Sequence, residues 1–247
     1  MPIPGALPDL LGRTSETSGE EVLYRFANGL SIKTEVWNKG ARDRILPLGS
    51  PQGSLMNHML HFPEVVRGKE VFEPFAGSGP LGFMALKLGA RHVDFLDVNP
   101  RASDFQRENG ERNQFPPSSF RSIEADIASF QPERRYELIL ANPPFVPTPE
   151  GIEGTLTSNG GPEGNRFVEI LLWRLEELLE PHGEALILAF QFVRRQQPLL
   201  VDLISSLVVR RPVELTPSQK HPIGFEADCR AYTQLFPEAR EEIARWR

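Results

Sequence analysis

The 247-residue chain has a single cysteine, Cys229, so no internal disulfide can form. No apolar run approaches the roughly 20 residues needed to span a bilayer. The opening stretch, MPIPGALPDLLGRTSETSGEE, lacks the basic start and apolar centre of a secretion signal. These absences point to a reducing cytosol and away from a membrane. Positive charge is also scarce. The formal net charge is −6, and the basic residues are scattered, at most in pairs such as Arg210-Arg211. A nucleic-acid surface is normally a basic patch or stripe, so the composition favours a protein or small-molecule partner. Internal repeats and low-complexity tracts are missing too. His58 and His61 have a helical ligand spacing, but no further ligand follows locally, so no metal site is expected.

What is present is the composition of a globular core, with 40% hydrophobic and 24% charged residues. Residues 1–20 are rich in Pro, Gly and Ser and are expected to be mobile. Residues 21–68 read as an N-terminal extension. It holds a β-hairpin about Asn28-Gly29 and a short helix in LMNHMLHF. From Lys69 to the end, strand and helix patterns alternate. The strands are EVFEPF, HVDFLDV, FRSIEAD, YELILAN and EALILAF, with two late ones near RRPVELT and CRAYTQLF. The alternation predicts an α/β, Rossmann-like domain over 69–247. Its seven-stranded sheet would be mostly parallel, with an antiparallel last strand and helices on both faces.

Two loops carry the chemistry. FEPFAGSGPLG sets Gly77, Gly79 and Gly82 in a G-x-G-x-x-G spacing between a strand and a helix. Such glycines allow a tight turn, close ligand approach and close helix packing. The spacing alone also fits a nicotinamide cofactor, which leaves an oxidoreductase as an alternative. Glu73 argues otherwise, because a carboxylate beside a pyrophosphate repels it and beside a cation attracts it. S-adenosylmethionine carries an ammonium and a sulfonium and no phosphate. Asp97 ends the second strand and can accept from both ribose hydroxyls. Asp126 ends the third and can accept from the adenine amino group, with Ile127 packing on the ring. Phe75, Ser78, Val98 and Asn142 complete the candidate cofactor-binding set.

The second loop is LILANPPFVP. A buried strand runs into Asn142, Pro143, Pro144 and Phe145. Proline cannot donate to a sheet, so the strand stops and the next residues are held stiffly above its carboxyl end. The Asn142 side-chain oxygen and the Pro143 carbonyl can each accept an N–H from a planar amino group. Phe145 can stack on that group.

In succession, VFEPFAGSGPLG, FLDVNP, EADI and ANPPF resemble the class I S-adenosylmethionine-dependent methyltransferases. The resemblance covers roughly Leu46 to Phe236. The Asn-Pro-Pro-aromatic element resembles the subgroup that methylates planar nitrogen. GGPEGNRFVEILL looks like the Gly-Gly-x-x-Gly segment of the release-factor glutamine methyltransferases. The resemblance implies an enzyme with S-adenosylmethionine as cofactor and Asn142, Pro143 and Phe145 at the acceptor. Protein glutamine, a base of RNA or DNA, and a small metabolite all remain open as acceptors, as does a non-catalytic module retaining the fold.

Overall fold

The computed structural model describes residues 7–37, 42–152, 156–190, 192–194, 197–215 and 225–246. An antiparallel sheet comes first, ordered β1 (Thr14–Ser18), β2 (Glu21–Arg25) and β3 (Ser31–Glu35). Helix α1 (Ser50–His61) leads to the main alternation: β4 (Glu70–Pro74), α2 (Pro80–Lys87), β5 (His92–Asp97), α3 (Arg101–Arg112) and β6 (Phe120–Glu124). Then come β7 (Tyr136–Ala141), α4 (Arg166–Leu178) and β8 (Leu179–Ile187). A small hairpin, β9 (Val193–Arg194) and β10 (Gln197–Pro198), precedes helices α5 (Leu199–Leu207), α6 (Phe225–Leu235) and α7 (Arg240–Trp246). Among the described residues, no helix is long and apolar enough to cross a membrane.

Among the described residues the main sheet has five strands, all parallel, in the order β6-β5-β4-β7-β8. The expected seven strands and antiparallel last strand are therefore corrected to five. CRAYTQLF is part of helix α6 and the turn after it, and residues 210–215 form no strand. Cys229, Tyr232 and Phe236 recur at three- and four-residue intervals, which is a helical spacing. The helix places them against Ile152 and Ile243. Aromatic and β-branched content favours a strand there, and tertiary packing overrides that preference.

The antiparallel sheet packs into the main domain. Its Tyr24 and Ile32 share one core with Met59 of α1 and with Phe83 and Phe95 of the Rossmann-like part. The expected turn is there, with Gly29 at φ 82 and the Asn28 side chain accepting from Leu30 N at 3.1 Å. Strand β1, TSETS, is wholly exposed and polar, so no alternation betrays it, and backbone pairing to β2 defines it. Strand β3 has β2 on one side. On the other, two amides four residues apart, at the end of α3, stand in for a neighbouring strand. Asn109 accepts from Lys33 N at 2.7 Å and donates to Lys33 O at 3.0 Å. Asn113 accepts from Ser31 N at 2.8 Å and donates to Ser31 O at 2.6 Å. These bonds blunt an edge that would otherwise be open to pairing.

After β4 the chain adds β5 and β6 on one side, then returns to place β7 on the other. The carboxyl ends of β4 and β7 thus flank the topological switch point, where open α/β sheets bind ligands.

Candidate active site

The glycine loop leaves β4 in a conformation L-residues rarely adopt. Phe75 has φ 61, Gly77 φ 50 and Gly79 φ 79. A Cβ on Gly77 would meet nothing within 4 Å, so the space before its backbone is open. Gly82 is the opposite case. A Cβ there would lie 2.3 Å from Phe95, 2.6 Å from Val93 and 2.8 Å from a Glu73 oxygen. The third glycine therefore serves close helix–strand packing, as its spacing implies. Two α3 side chains brace the loop from behind: Gln106 donates to Gly77 O at 2.8 Å and Asn109 to Ser78 O at 3.1 Å. Neither carries a sequence signal, because a polar residue on a helix is normally read as solvated.

Glu73 lies beneath this loop and is only 2% exposed. Its carboxylate accepts from Gly82 N at 2.6 Å and Leu81 N at 3.3 Å, so it closes the first turn of α2. Burial pushes its pKa up to about 8 against the pull of those two bonds, and the neighbouring Asp97 adds to the rise. Asp97 ties the loop to β5. One oxygen accepts from Gly77 N at 2.7 Å, the other from Asn99 N at 2.9 Å. Burial raises its pKa as well, opposed by the backbone bonds. The Val98 backbone also bonds to this carboxylate, which has about four accepting sites and so keeps capacity beyond the three. Val98 beside it is half exposed. Asp126 is exposed and accepts from Ala128 N at 2.8 Å, while Ile127 is buried. Arg174 of α4, which carries no local sequence signal, is buried and donates to the carbonyls of Ile127 and Phe130, fixing the turn after β6.

At the end of β7, Pro143 and Pro144 are buried. The Asn142 side-chain oxygen is buried too and has no hydrogen-bond partner. The Phe145 ring stacks on Phe190 with centroids 4.1 Å apart and 24° between planes. The long segment after it folds back along the loop. Val146 N donates to Ser158 O at 2.8 Å, Gly160 N to Val146 O at 2.9 Å and Thr148 N to Gly161 O at 2.9 Å. The approach is close enough to require glycine. A Cβ on Gly160 would lie 2.8 Å from Phe145 Cα, and one on Gly164 2.7 Å from Phe145 O.

Contacts also join the two loops. Phe167, in the first turn of α4, meets Phe75 edge to face at 5.6 Å. The segment after β3 reaches both sides: Asn99 donates to Asp43 O at 2.7 Å and Leu156 N to Arg42 O at 3.1 Å. The structure thus gathers Phe75, Gly77, Ser78, Gly79, Asp97 and Val98 about the ends of β4 and β5, with Asn142, Pro143 and Phe145 at the end of β7. Asp126 and Ile127 stand one strand further out, after β6, and Glu73 supports the loop from below.

This fold and site define a class, the S-adenosylmethionine-dependent methyltransferases, with S-adenosylmethionine as cofactor. Residues 53–204 match the methyltransferase small domain, and the chain belongs to that family. Membership sets aside the oxidoreductase alternative. A Methanocaldococcus jannaschii relative, provisionally named a protein N5-glutamine methyltransferase, is 27% identical over 186 residues, 74% of this chain and 83% of the relative. The ribosomal protein L11 methyltransferase of Hahella chejuensis is 35% identical over 96 residues, 39% of this chain and 32% of that protein. Of the solved structures, a provisionally assigned S-adenosylmethionine-dependent methyltransferase from Streptococcus mutans superimposes with a TM-score of 0.60 at 14% identity. The match covers 82% of this chain and 51% of that one. A likeness at that identity speaks for the fold alone. The chain spans about half the length of that structure and about a third of the L11 enzyme.

Proposed function

We propose that this chain methylates a planar amide or amino nitrogen, with the side-chain carboxamide of a protein glutamine as the acceptor. The observation that carries the proposal is the Asn142 side-chain oxygen, buried at the switch point with no partner. An unmatched buried acceptor costs roughly 1–3 kcal/mol. It is tolerable at a site where a ligand N–H completes it. The M. jannaschii relative supports glutamine, and the net charge of −6 disfavours a polynucleotide.

The residues fit the cofactor. The open face of Gly77 lets a ligand approach the backbone. The remaining accepting capacity of Asp97 suits a ribose hydroxyl, half-exposed Val98 offers apolar surface to the adenine with Ile127 packed in the core behind that turn, and Asp126 can accept from the adenine amino group. Bound there, S-adenosylmethionine supplies an electrophilic methyl group. The protein's part is positioning. Asn142 and the Pro143 carbonyl accept the two N–H groups of the acceptor and turn its lone pair out of conjugation. The two prolines keep these oxygens from relaxing. Phe145, braced by Phe190, walls the planar group.

The test is transfer of a radiolabelled methyl group to three substrates offered separately: glutamine-containing peptides, RNA oligonucleotides and a small-molecule extract. Label on the peptides, located by mass spectrometry to the glutamine side chain, supports the proposal. Label confined to RNA or to small molecules overturns the glutamine assignment.

A further inference from the structure

The acceptor loop holds a second unmatched oxygen. Asn165 precedes α4, is 8% exposed, and its side-chain oxygen is buried with no hydrogen-bond partner. An Asn at this position ordinarily caps the helix by accepting from its first N–H groups. Asn165 does not. Its backbone sits at φ −106, ψ 4, outside the extended region that capping needs, and no side-chain cap bond forms. The oxygen is therefore not spent on its own helix.

Its neighbours place it at the crevice. One residue before it, Gly164 packs against the Phe145 carbonyl so closely that a Cβ would lie 2.7 Å away. Two residues after it, Phe167 touches Phe75 of the glycine loop. Asn165 thus lies in a segment bracketed by contacts to the Asn-Pro-Pro-Phe loop on one side and to the glycine loop on the other, and its oxygen, like that of Asn142, is unmatched. The backbone around it is otherwise satisfied: Arg166 N donates to Gly160 O at 3.0 Å and Glu169 N to Asn165 O at 2.9 Å.

We propose that Asn165 is a substrate-binding residue whose side-chain oxygen accepts a backbone N–H of the acceptor polypeptide, beside the carboxamide held by Asn142. This rests on the glutamine reading above and sharpens it. A carboxamide has two N–H groups, and Asn142 and Pro143 account for both. A further buried acceptor calls for a further donor, and a peptide carries one on every residue except proline. A small free amide lacks it. Asn165 then selects polypeptide over small amide without taking part in the methyl transfer.

The test uses Asn165→Leu, which keeps the side-chain bulk and removes the acceptor, and Asn165→Asp, which restores one. Steady-state methyl transfer is measured on a glutamine-containing pentapeptide, on the same peptide N-methylated at one backbone position at a time, and on propionamide. Asn165→Leu is expected to raise the peptide KM about tenfold, with kcat held near the parent's. Asn165→Asp recovers most of that loss. One N-methylated peptide should show the raised KM with the parent enzyme and no further rise with Asn165→Leu. Propionamide transfer should not distinguish the variants. S-adenosylhomocysteine affinity should stay within about twofold and Tm should not fall, since removing an unmatched buried acceptor relieves the fold. If Asn165→Leu leaves every peptide KM unchanged, or weakens S-adenosylhomocysteine binding instead, the inference is wrong while the glutamine reading stands. If the parent methylates no glutamine peptide, the glutamine reading fails and this inference falls with it.

Discussion

The two halves of the crevice treat their oxygens in opposite ways. On the side of β4, β5 and β6, the three acids Glu73, Asp97 and Asp126 each accept from the protein's own backbone. Glu73 takes Gly82 N and Leu81 N, Asp97 takes Gly77 N and Asn99 N, and Asp126 takes Ala128 N. On the side of β7 and α4, the Asn142 and Asn165 oxygens are buried and take nothing. A buried carboxyl group is costly to leave unpaired, so the cradle about Glu73 and Asp97 is held in shape before its ligand arrives. A neutral amide oxygen is cheaper to leave bare, and it keeps its full accepting capacity for the acceptor. The first half is built as a rigid cradle, the second as an unmet demand.

The comparison is broken most directly at Asn142. Asn142→Ala should lower turnover by roughly a hundredfold or more, as loss of a placed polar group does. S-adenosylhomocysteine affinity, read by calorimetry, should stay within about threefold. Equal turnover by parent and variant would deny Asn142 any part in holding the acceptor.

Asp97→Ala should show the reverse pattern. Cofactor affinity should fall by roughly 1.5–3 kcal/mol. Urea midpoints should drop too, because the same carboxylate ties Gly77 N to β5. An effect on turnover at saturating cofactor, with affinity intact, would contradict the cradle.

Gly82→Ala and Gly77→Ala then separate packing from access. The first forces a Cβ against Phe95 and Val93 and should cost roughly 1–3 kcal/mol of stability in urea titration. The second meets no atom but holds φ 50, so it should cost about 1 kcal/mol of stability. Its larger effect should be on cofactor affinity. Equal stability losses would mean that the two glycines share one role.

A separate prediction concerns pH. Glu73 has its pKa raised by burial to about 8, well above its unfolded value near 4.5. The folded state therefore holds a proton that the unfolded state has released across that window. Stability should be full below about pH 4.5 and decline as pH rises toward 8, then level. Glu73→Gln should flatten that decline in Tm measured from pH 5 to 9. An unchanged slope would show that Glu73 is not its source.

Much of the cradle is legible in the sequence, because its signals are local. A positive φ favours glycine, so Gly77 and Gly79 announce a turn. Asn28-Gly29 announces a hairpin, and Pro143-Pro144 announces the end of a strand. The strand count is not legible in the same way. CRAYTQLF satisfies strand content and helical spacing equally, and contacts to Ile152 and Ile243 decide between them. Strand β1 is silent because TSETS exposes every residue. Gln106, Asn109 and Arg174 give no local sign of their roles, because their partners are backbone carbonyls tens of residues away.

What the sequence determines by itself, then, is the run of alternating strands and helices, the two loops that end β4 and β7, and the acids at the strand ends. Each depends on the conformational limits of a few consecutive residues. Only the tertiary structure decides that Glu73 sits under the loop and not before it, that Phe145 leans on Phe190, and that two asparagine oxygens are left without donors. A hydrogen bond that is missing is a property of everything packed around an atom, and no short stretch of chain encodes it.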